Sequence, residues 1–314
     1  MQAVVIADGR LGLEERPDPA PGDGELLVAV RAAGVNAADL AQLRGRYPAP
    51  PGSPQDIPGL ELAGEVVAAG TRVERFAVGD HVIGLVGGGA QATLAVVDQE
   101  HALPMPPGLP WPEAGGFAEA FFTAHDALFT QAGLTLGERL LVSGAAGGVG
   151  TAALQLAAAA GARVVAAVRD PSLREEVAGL GAALVVDPAE VEHHGPYDVL
   201  LELVGAPSLT PALRALATGA RVVVIGVGAS SGVEVDLQLL MRARALLRGS
   251  TLRARSRAEK AAVTAAVERH VLPLLAAGGV KVPVSAAMPL ADAARAYERF
   301  ARPGKLGKIV LLTG

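Results

Sequence analysis

The segment Leu140-Leu-Val-Ser-Gly-Ala-Ala-Gly-Gly-Val-Gly150 constrains the chain most. An apolar strand runs into a glycine turn, and a helix opens at once. The spacing is Ala145-x-Gly147-x-x-Gly150, a form of the G-x-G-x-x-G fingerprint with alanine first. Gly147 lets the backbone approach a pyrophosphate, and Gly150 lets the helix pack closely on the strand. The helix N-terminus, through Gly148 and Val149, offers free N–H groups and the positive end of its dipole. A second strand, Ala162 to Val168, follows at the expected distance. The motif therefore reads as the dinucleotide site of a β–α–β unit. The bare alternative is a tight strand–helix turn without a ligand.

The end of that second strand discriminates between two forms of such a cofactor. An acidic residue there binds the ribose hydroxyls and repels a 2′-phosphate. The position holds Val168, followed by Arg169, with Arg174 one helical turn beyond. Two guanidinium groups suit a phosphate monoester, which points to NADPH. Asp170 is acidic but one residue late. With Pro171 behind it, it reads as a helix cap.

The rest of the chain fits this frame. From residue 112 onward, helical spacing over Pro112–Ala132 gives way to alternation. Strands are expected at 139–143, 163–168, 183–186, 198–203, 220–225 and 247–252, with helices at 148–160, 171–179, 208–217 and 236–245. That alternation argues for a doubly wound parallel α/β sheet. The first third is β-rich, with strands at 2–7, 25–31, 61–68, 81–86 and 92–98 between Pro/Gly turns, and a helix over 37–44 with Asn36 as its N-cap. Ser256-Arg-Ala-Glu259 is a capping box that opens a helix to about Ala277. Beyond Gly278-Gly279 come short strands, a helix near 291–300 and a last strand over 307–312. This mixed tail is placed to pack back onto the first block.

Composition removes several classes of function. The 314 residues are 51% hydrophobic and 19% charged, too apolar for a disordered chain. A net charge of −5 without a basic tract disfavours nucleic acid as a partner. The absence of cysteine excludes disulfides, thiolate metal sites and cysteine nucleophiles. The N-terminal residues lack the pattern of a signal peptide, which leads to a cytoplasmic expectation. The charge-free run Leu140–Ala162 is long enough to span a membrane, but its glycines, Ser143, Thr151 and Gln155 argue against that. The histidines form no metal pattern, and no Gly-x-Ser-x-Gly elbow occurs.

At these residues the chain resembles the medium-chain dehydrogenase/reductase superfamily, in its zinc-independent quinone oxidoreductase (zeta-crystallin) branch. The matching segments run in the family's order: Ala33-Gly-Val-Asn-Ala-Ala-Asp39, Arg44-Gly-Arg-Tyr47, Pro58-Gly-Leu-Glu61, Ala63-Gly-Glu-Val-Val67, Val78-Gly-Asp-His-Val82, Thr123-Ala124, the glycine motif, Glu202-Leu-Val-Gly205, Ile225-Gly226, Gly249-Ser-Thr-Leu-Arg-Ala-Arg255 and Gly307-Lys-Ile-Val310. The resemblance implies a Rossmann domain plus a GroES-like β-barrel domain, with 1–118 as the GroES-like catalytic domain, 119–255 as the Rossmann domain and 256–314 as a segment returning to the first. It implies nicotinamide at the floor of an interdomain cleft, and a homodimer through the Rossmann sheet edge. Zinc-dependent relatives carry a cysteine where Asn36 stands and a histidine where Leu60 stands. The segment between Val186 and Tyr197 is shorter than usual, so a helix is expected to be missing there. The aromatic usual near Leu94 is absent.

The resemblance also assigns candidate residues. Without a Lewis acid, conjugated acceptors are easier to reduce than simple carbonyls, because hydrogen-bond donors suffice for the charge that develops on oxygen. Asn36 and Tyr47 are the candidate donors. Tyr47 stands where similar enoyl thioester reductases keep a proton-donating tyrosine. Asn36 alternatively only caps its helix, and Tyr47 alternatively only packs at a rim. Thr123 is placed near the nicotinamide, and Val204, Gly205, Ile225, Gly226 and Val227 flank the cofactor at strand C-termini. Arg253 and Arg255 either meet the cofactor, line the dimer edge or are merely solvated. The expected substrate is a small quinone or enone. The alternatives are a 2-enoyl thioester reductase, separable through Tyr47, and a non-catalytic NADPH-binding protein.

Overall fold

Alternating apolar and polar residues between glycine and proline turns make the first third of the chain strand-forming. In the computed structural model, which describes residues 1–314, β1 (Gln2–Ala7) pairs antiparallel with β2 (Arg10–Glu15). Then follow β3 (Glu25–Val35), α1 (Ala37–Leu43), β4 (Glu61–Ala69), β5 (His81–Leu85), β6 (Leu94–Asp98) and β7 (Ala102–Pro104). Leu26, Val28 and Val30 of β3 face one core with Leu62, Val66, Val82 and Val97, as a period of two requires. The expected single helix over 112–132 is broken into α2 (Trp111–Gly115), α3 (Ala118–His125) and a π-helical stretch, Asp126–Gln131. The break has a packing cause. A Cβ at Gly115 would lie 2.5 Å from the Ala32 side chain, so α2 ends against β3 where only glycine fits.

From residue 139 the alternation is as expected. The strands are β8 (Arg139–Val142), β9 (Arg163–Ala167), β10 (Leu184–Val186), β11 (Tyr197–Glu202), β12 (Leu216–Val224) and β13 (Leu246–Gly249). The helices are α4 (Gly148–Ala159), α5 (Arg174–Ala178), α6 (Ala206–Leu213) and α7 (Leu237–Ala243). The strands pair in parallel in the order β10-β9-β8-β11-β12-β13. This is the doubly wound Rossmann order, which reverses direction between β8 and β11. Leu141, Val165, Leu200 and Val222 form its core, with Tyr197 fully buried and its hydroxyl donating to the Val191 carbonyl at 2.6 Å. Between β10 and β11 there is only a 3-10 stretch, Pro188–His194, as the short segment suggested. Two expected helices are trimmed. Pro171–Leu173 is a 3-10 turn ahead of α5, and the chain leaves α6 after Leu213, so that 216–217 belong to β12.

The tail holds α8 (Arg257–His270), α9 (Leu272–Ala276), β14 (Val284–Pro289), α10 (Ala293–Ala301) and β15 (Lys308–Leu312). The capping box at Ser256 is present, and the helix it opens breaks at Val271 ahead of Pro273. β15 pairs antiparallel with β3 and parallel with β14, giving the sheet order β14-β15-β3-β4-β5-β7 with β6 also on β3. Ala296 and Tyr297 of α10 pack on Val4, Val35, Ile309 and Leu311. The chain thus divides into two units, one of residues 1–122, 252–303 and 308–314, the other of 123–251 and 304–307. No helix is long and apolar enough to cross a membrane.

Candidate active site

In the second unit, the turn after β8 places Gly147 at the N-cap of α4 with extended backbone and no side chain to cap the helix. Gly147 N–H donates to the Gly144 carbonyl at 3.0 Å, and Thr151 N–H returns to the Gly147 carbonyl at 2.8 Å. The first amides of α4, at Gly148, Val149 and Gly150, have no acceptor within the helix. A Cβ at Gly150 would lie 2.6 Å from the Gly144 carbonyl oxygen and 2.7 Å from Ala145 Cα, so this glycine is required by packing. A Cβ at Gly147 would meet only the Gly144 oxygen, at 3.4 Å, so this glycine is not required by the protein's own packing. Free N–H groups beside open space at a helix N-terminus fit a phosphate group.

The strand ends add to this. Glu202, fully buried at the end of β11, accepts four hydrogen bonds on Oε1: from Ser143 Oγ (2.8 Å), Val204 N (2.7 Å), Gly205 N (2.8 Å) and Ser208 Oγ (2.6 Å). It fixes the 203–205 loop, in which Gly205 has φ +115° and stands so close to the Ser230 carbonyl that a Cβ would lie 2.3 Å away. Ile225 and Gly226 both donate their N–H to the Glu202 carbonyl, at 2.9 and 3.1 Å, and Val227 is exposed. Thr123 is buried and its Oγ1 has no partner in the protein. An unpartnered hydroxyl, an open glycine and unsatisfied helix amides within one unit fit a dinucleotide.

The two arginines differ in disposition. Arg169 is exposed at the end of β9. Arg174 is already engaged, with Nη2 on Asp187 Oδ2 at 2.8 Å and Nε on the Val168 carbonyl at 3.2 Å. Asp170 is a cap, accepting from Ser172 N (3.0 Å) and Ser172 Oγ (2.7 Å), and those bonds hold its carboxyl below the usual range.

The first unit holds a buried ionic cluster. Asn36 occupies the N-cap position of α1, where Asp39 reaches back to accept from its backbone N at 2.8 Å. The Asn36 side chain is turned elsewhere. Its Nδ2 donates to Glu61 Oε1 at 2.9 Å, and its Oδ1 accepts from Lys308 Nζ at 2.5 Å. Lys308 Nζ also donates to Glu61 Oε1 at 2.6 Å and to the Val35 carbonyl at 3.4 Å, which uses all its hydrogens. Glu61 Oε2 accepts from Glu119 N at 2.9 Å. Burial raises Asp39 to about 6, against the pull of N–H groups from Asn36 and Gly59. Burial, then the Glu61 charge, raises the half-buried Glu119 to about 7. Half-buried Tyr47 is also raised, by burial first and by Glu119 second, while Arg253 opposes.

The residues do not fit a zinc ion. No three His, Cys, Asp or Glu side chains are grouped to hold a metal, and the Lys308 ammonium sits against Asn36 and Glu61, where it would repel a second cation. Asp39, Glu61, Glu119 and Lys308 carry no role in the sequence reading. For Lys308 and Glu61 the one signal is a charge inside an apolar strand, in β15 and at the start of β4. Of the three alternatives for Arg253, the solvated one fails. The residue is 5% exposed, not solvated, and its guanidinium is spent within the first unit.

One β-rich unit with a buried ionic cluster and a second, Rossmann unit with a glycine turn at a helix N-terminus define the class of two-domain nicotinamide-type oxidoreductases. Residues 22–130 match the alcohol dehydrogenase GroES-like domain family, and residues 148–268 match the zinc-binding dehydrogenase family. The chain belongs to the medium-chain dehydrogenase/reductase superfamily, in its quinone oxidoreductase-like branch. It is 30% identical to rat quinone oxidoreductase over 306 residues, covering 94% of this chain and 91% of that protein. It is 33% identical to the phthioceranic/hydroxyphthioceranic acid synthase of Mycobacterium tuberculosis over 304 residues, 93% of this chain. The match spans only 14% of the length of that synthase. A mycobacterial protein solved in complex with NADPH superposes with a TM-score of 0.87 at 26% identity, over 100% of both chains.

Proposed function

We propose that the chain is an NADPH-dependent reductase of quinones or related conjugated carbonyls, working without a metal. The observation that carries this reading is the Lys308–Asn36–Glu61 cluster. A fixed ammonium holds the Asn36 amide in place, where zinc-dependent relatives use cysteine. Gly147, Gly148, Val149 and Gly150 would hold the pyrophosphate, with Thr123, Val204, Gly205 and Ile225–Val227 lining the rest. Arg169 would meet the 2′-phosphate. Arg174 would contribute mainly by fixing the strand end, since Asp187 already engages it. The bound cofactor supplies a hydride. Hydride addition to a quinone or to an enone β-carbon leaves negative charge on the acceptor oxygen. Asn36 Nδ2 keeps one hydrogen that the cluster does not use, and it would donate this to that oxygen. The Tyr47 phenol, held protonated across neutral pH, would deliver the proton and regain it from solvent.

The second reading, reduction of a 2-enoyl thioester, is favoured by the match to the synthase along most of the chain. A steady-state panel of 1,2- and 1,4-quinones, small enones and a short 2-enoyl-CoA, with NADPH and NADH in parallel, tests both. Quinone-dependent oxidation preferring NADPH is expected. Turnover confined to the thioester, and abolished in Tyr47→Phe, would replace the first reading with the second. Silence towards every acceptor, with cofactor binding intact, would leave a binding protein.

The edge strand β13 exposes Leu246 (64%) and Leu247 (44%), which supports association of two copies through the Rossmann sheet edge. Sedimentation at micromolar concentration should give a dimer, and Leu246→Lys a monomer.

A further inference from the structure

Arg253 lies just before the capping box of α8, among residues drawn from two distant segments of the first unit, 42–47 and the turn at Gly87. Its Nε donates to the Gly87 carbonyl at 2.8 Å, its Nη1 to the Tyr47 carbonyl at 2.9 Å, and its Nη2 to Gln42 Oε1 at 2.6 Å. The guanidinium carbon lies 5.3 Å from the centroid of the Tyr47 ring, in cation–π range. Gln42 extends the chain of contacts, its Nε2 donating to the Gln55 carbonyl at 3.0 Å. None of the three atoms that accept a hydrogen bond from Arg253 is a carboxylate. The Asp39 and Glu119 carboxylates favour its charge only from beyond hydrogen-bond range, and burial opposes it, so such an arginine is a poor device for holding a fold together. Its planar fork, which fixes three directions at once, is a good device for geometry.

We propose that Arg253 is the positioning residue of the acceptor site: it anchors the 44–53 loop at Tyr47, ties it to Gln42 at the end of α1, and holds the Tyr47 ring in one orientation. The consequence for turnover rests on the reading of Tyr47 as the proton donor. The anchoring itself does not. Lysine in place of arginine keeps the charge but can no longer reach three directions, and Gln42→Leu removes one anchor without touching the charge.

The loop carries its own reporter, because Arg44 and Arg46 are exposed trypsin sites beside Tyr47. Native-state trypsin cleavage after Arg46 is expected to accelerate roughly ten-fold in both Arg253→Lys and Gln42→Leu, as for a local opening freed of one anchor. Melting temperatures of the purified variants should stay close to that of the parent. In the acceptor assay, Arg253→Lys should lower kcat roughly ten- to hundred-fold with KM for NADPH unchanged. The same change made in Tyr47→Phe should cost less than about two-fold, because the group it positions is gone. Unchanged cleavage rates in both variants would overturn the anchoring. Equal kcat losses in the two backgrounds would overturn action through Tyr47. If Tyr47→Phe alone is fully active, the donor reading fails, and the cleavage rates then decide the anchoring by themselves.

Discussion

The two glycines of the turn before α4 should separate cleanly on substitution. Gly147 has φ −75° and ψ 170°, a conformation open to any residue, and an added Cβ meets only the Gly144 oxygen at ordinary contact distance. Gly147→Ala should therefore leave stability within about 1 kcal/mol of the parent, with a slight gain from the stiffer unfolded chain. Cofactor binding should respond differently. A methyl group in front of the α4 amides holds a pyrophosphate away from at least one charge-assisted N–H bond. At about 1.5–3 kcal/mol for such a bond, the dissociation constant should rise roughly 10- to 150-fold. Gly150→Ala meets three backbone atoms at 2.6 to 2.7 Å, none of which can swing aside, so α4 must shift. That overpacking should cost about 1–3 kcal/mol, or roughly 2–12 °C of melting temperature. Fluorescence titration with NADPH, paired with thermal denaturation, measures both quantities on the same preparations. An unchanged dissociation constant in Gly147→Ala would refute the phosphate cradle. Equal stability losses in the two variants would refute the division of labour between the glycines.

Other perturbations follow from the ionic cluster and the strand ends. Lys308→Met leaves Glu61 buried without its cation and should cost about 3–5 kcal/mol at pH 7 by denaturant unfolding; a loss under about 1 kcal/mol would mean that the pair is not structural. Asp39 and Glu119 sit at about 6 and about 7, above their usual 3.8 and 4.5. The folded state therefore holds their protons more tightly than the unfolded one, and this stability is lost as pH rises from about 4 through about 7. Melting temperature should fall between pH 5 and pH 8, and Glu119→Gln should flatten the upper part of that fall; an unaltered profile would contradict the assignment. Arg169→Ala should erode preference for NADPH over NADH more than Arg174→Ala does, since Arg174 is already paired with Asp187. The reverse ranking in coenzyme kinetics would undo that argument.

The parallel unit was readable because its signals are local. The strand at 139–142, the glycine turn and the following helix are contiguous, and each later strand is an apolar run with its own turn. β2 escaped because Arg10-Leu-Gly-Leu-Glu-Glu15 carries a glycine and two terminal glutamates and is largely exposed, so it lacks an inward apolar face. Trimming of α6 was invisible for a related reason: 214–217 suit helix and strand alike, and pairing of Leu216 with Tyr197 decides. At the candidate site, Asn36 and Tyr47 were legible only through the resemblance. The partners that define their environment were not, because Lys308 is 272 residues from Asn36 and Arg253 is 206 from Tyr47. Engagement of Arg174 by Asp187 likewise depends on two strand ends meeting, which no spacing rule states.

The place of β15 bears on how this protein is made. Residues 308–312 lie inside the sheet of the first unit, between β14 and β3, although β3 leaves the ribosome more than 270 residues earlier. At about 5–20 residues per second, that is a wait of roughly 15–55 seconds. Throughout it, one edge of β3 stays open and the Glu61 carboxylate lacks its ammonium partner. The Rossmann unit needs no such late strand and can close its sheet during the same interval. Nascent chains stalled near residue 300 should accordingly show a protease-resistant Rossmann fragment joined to an N-terminal part that recruits chaperones.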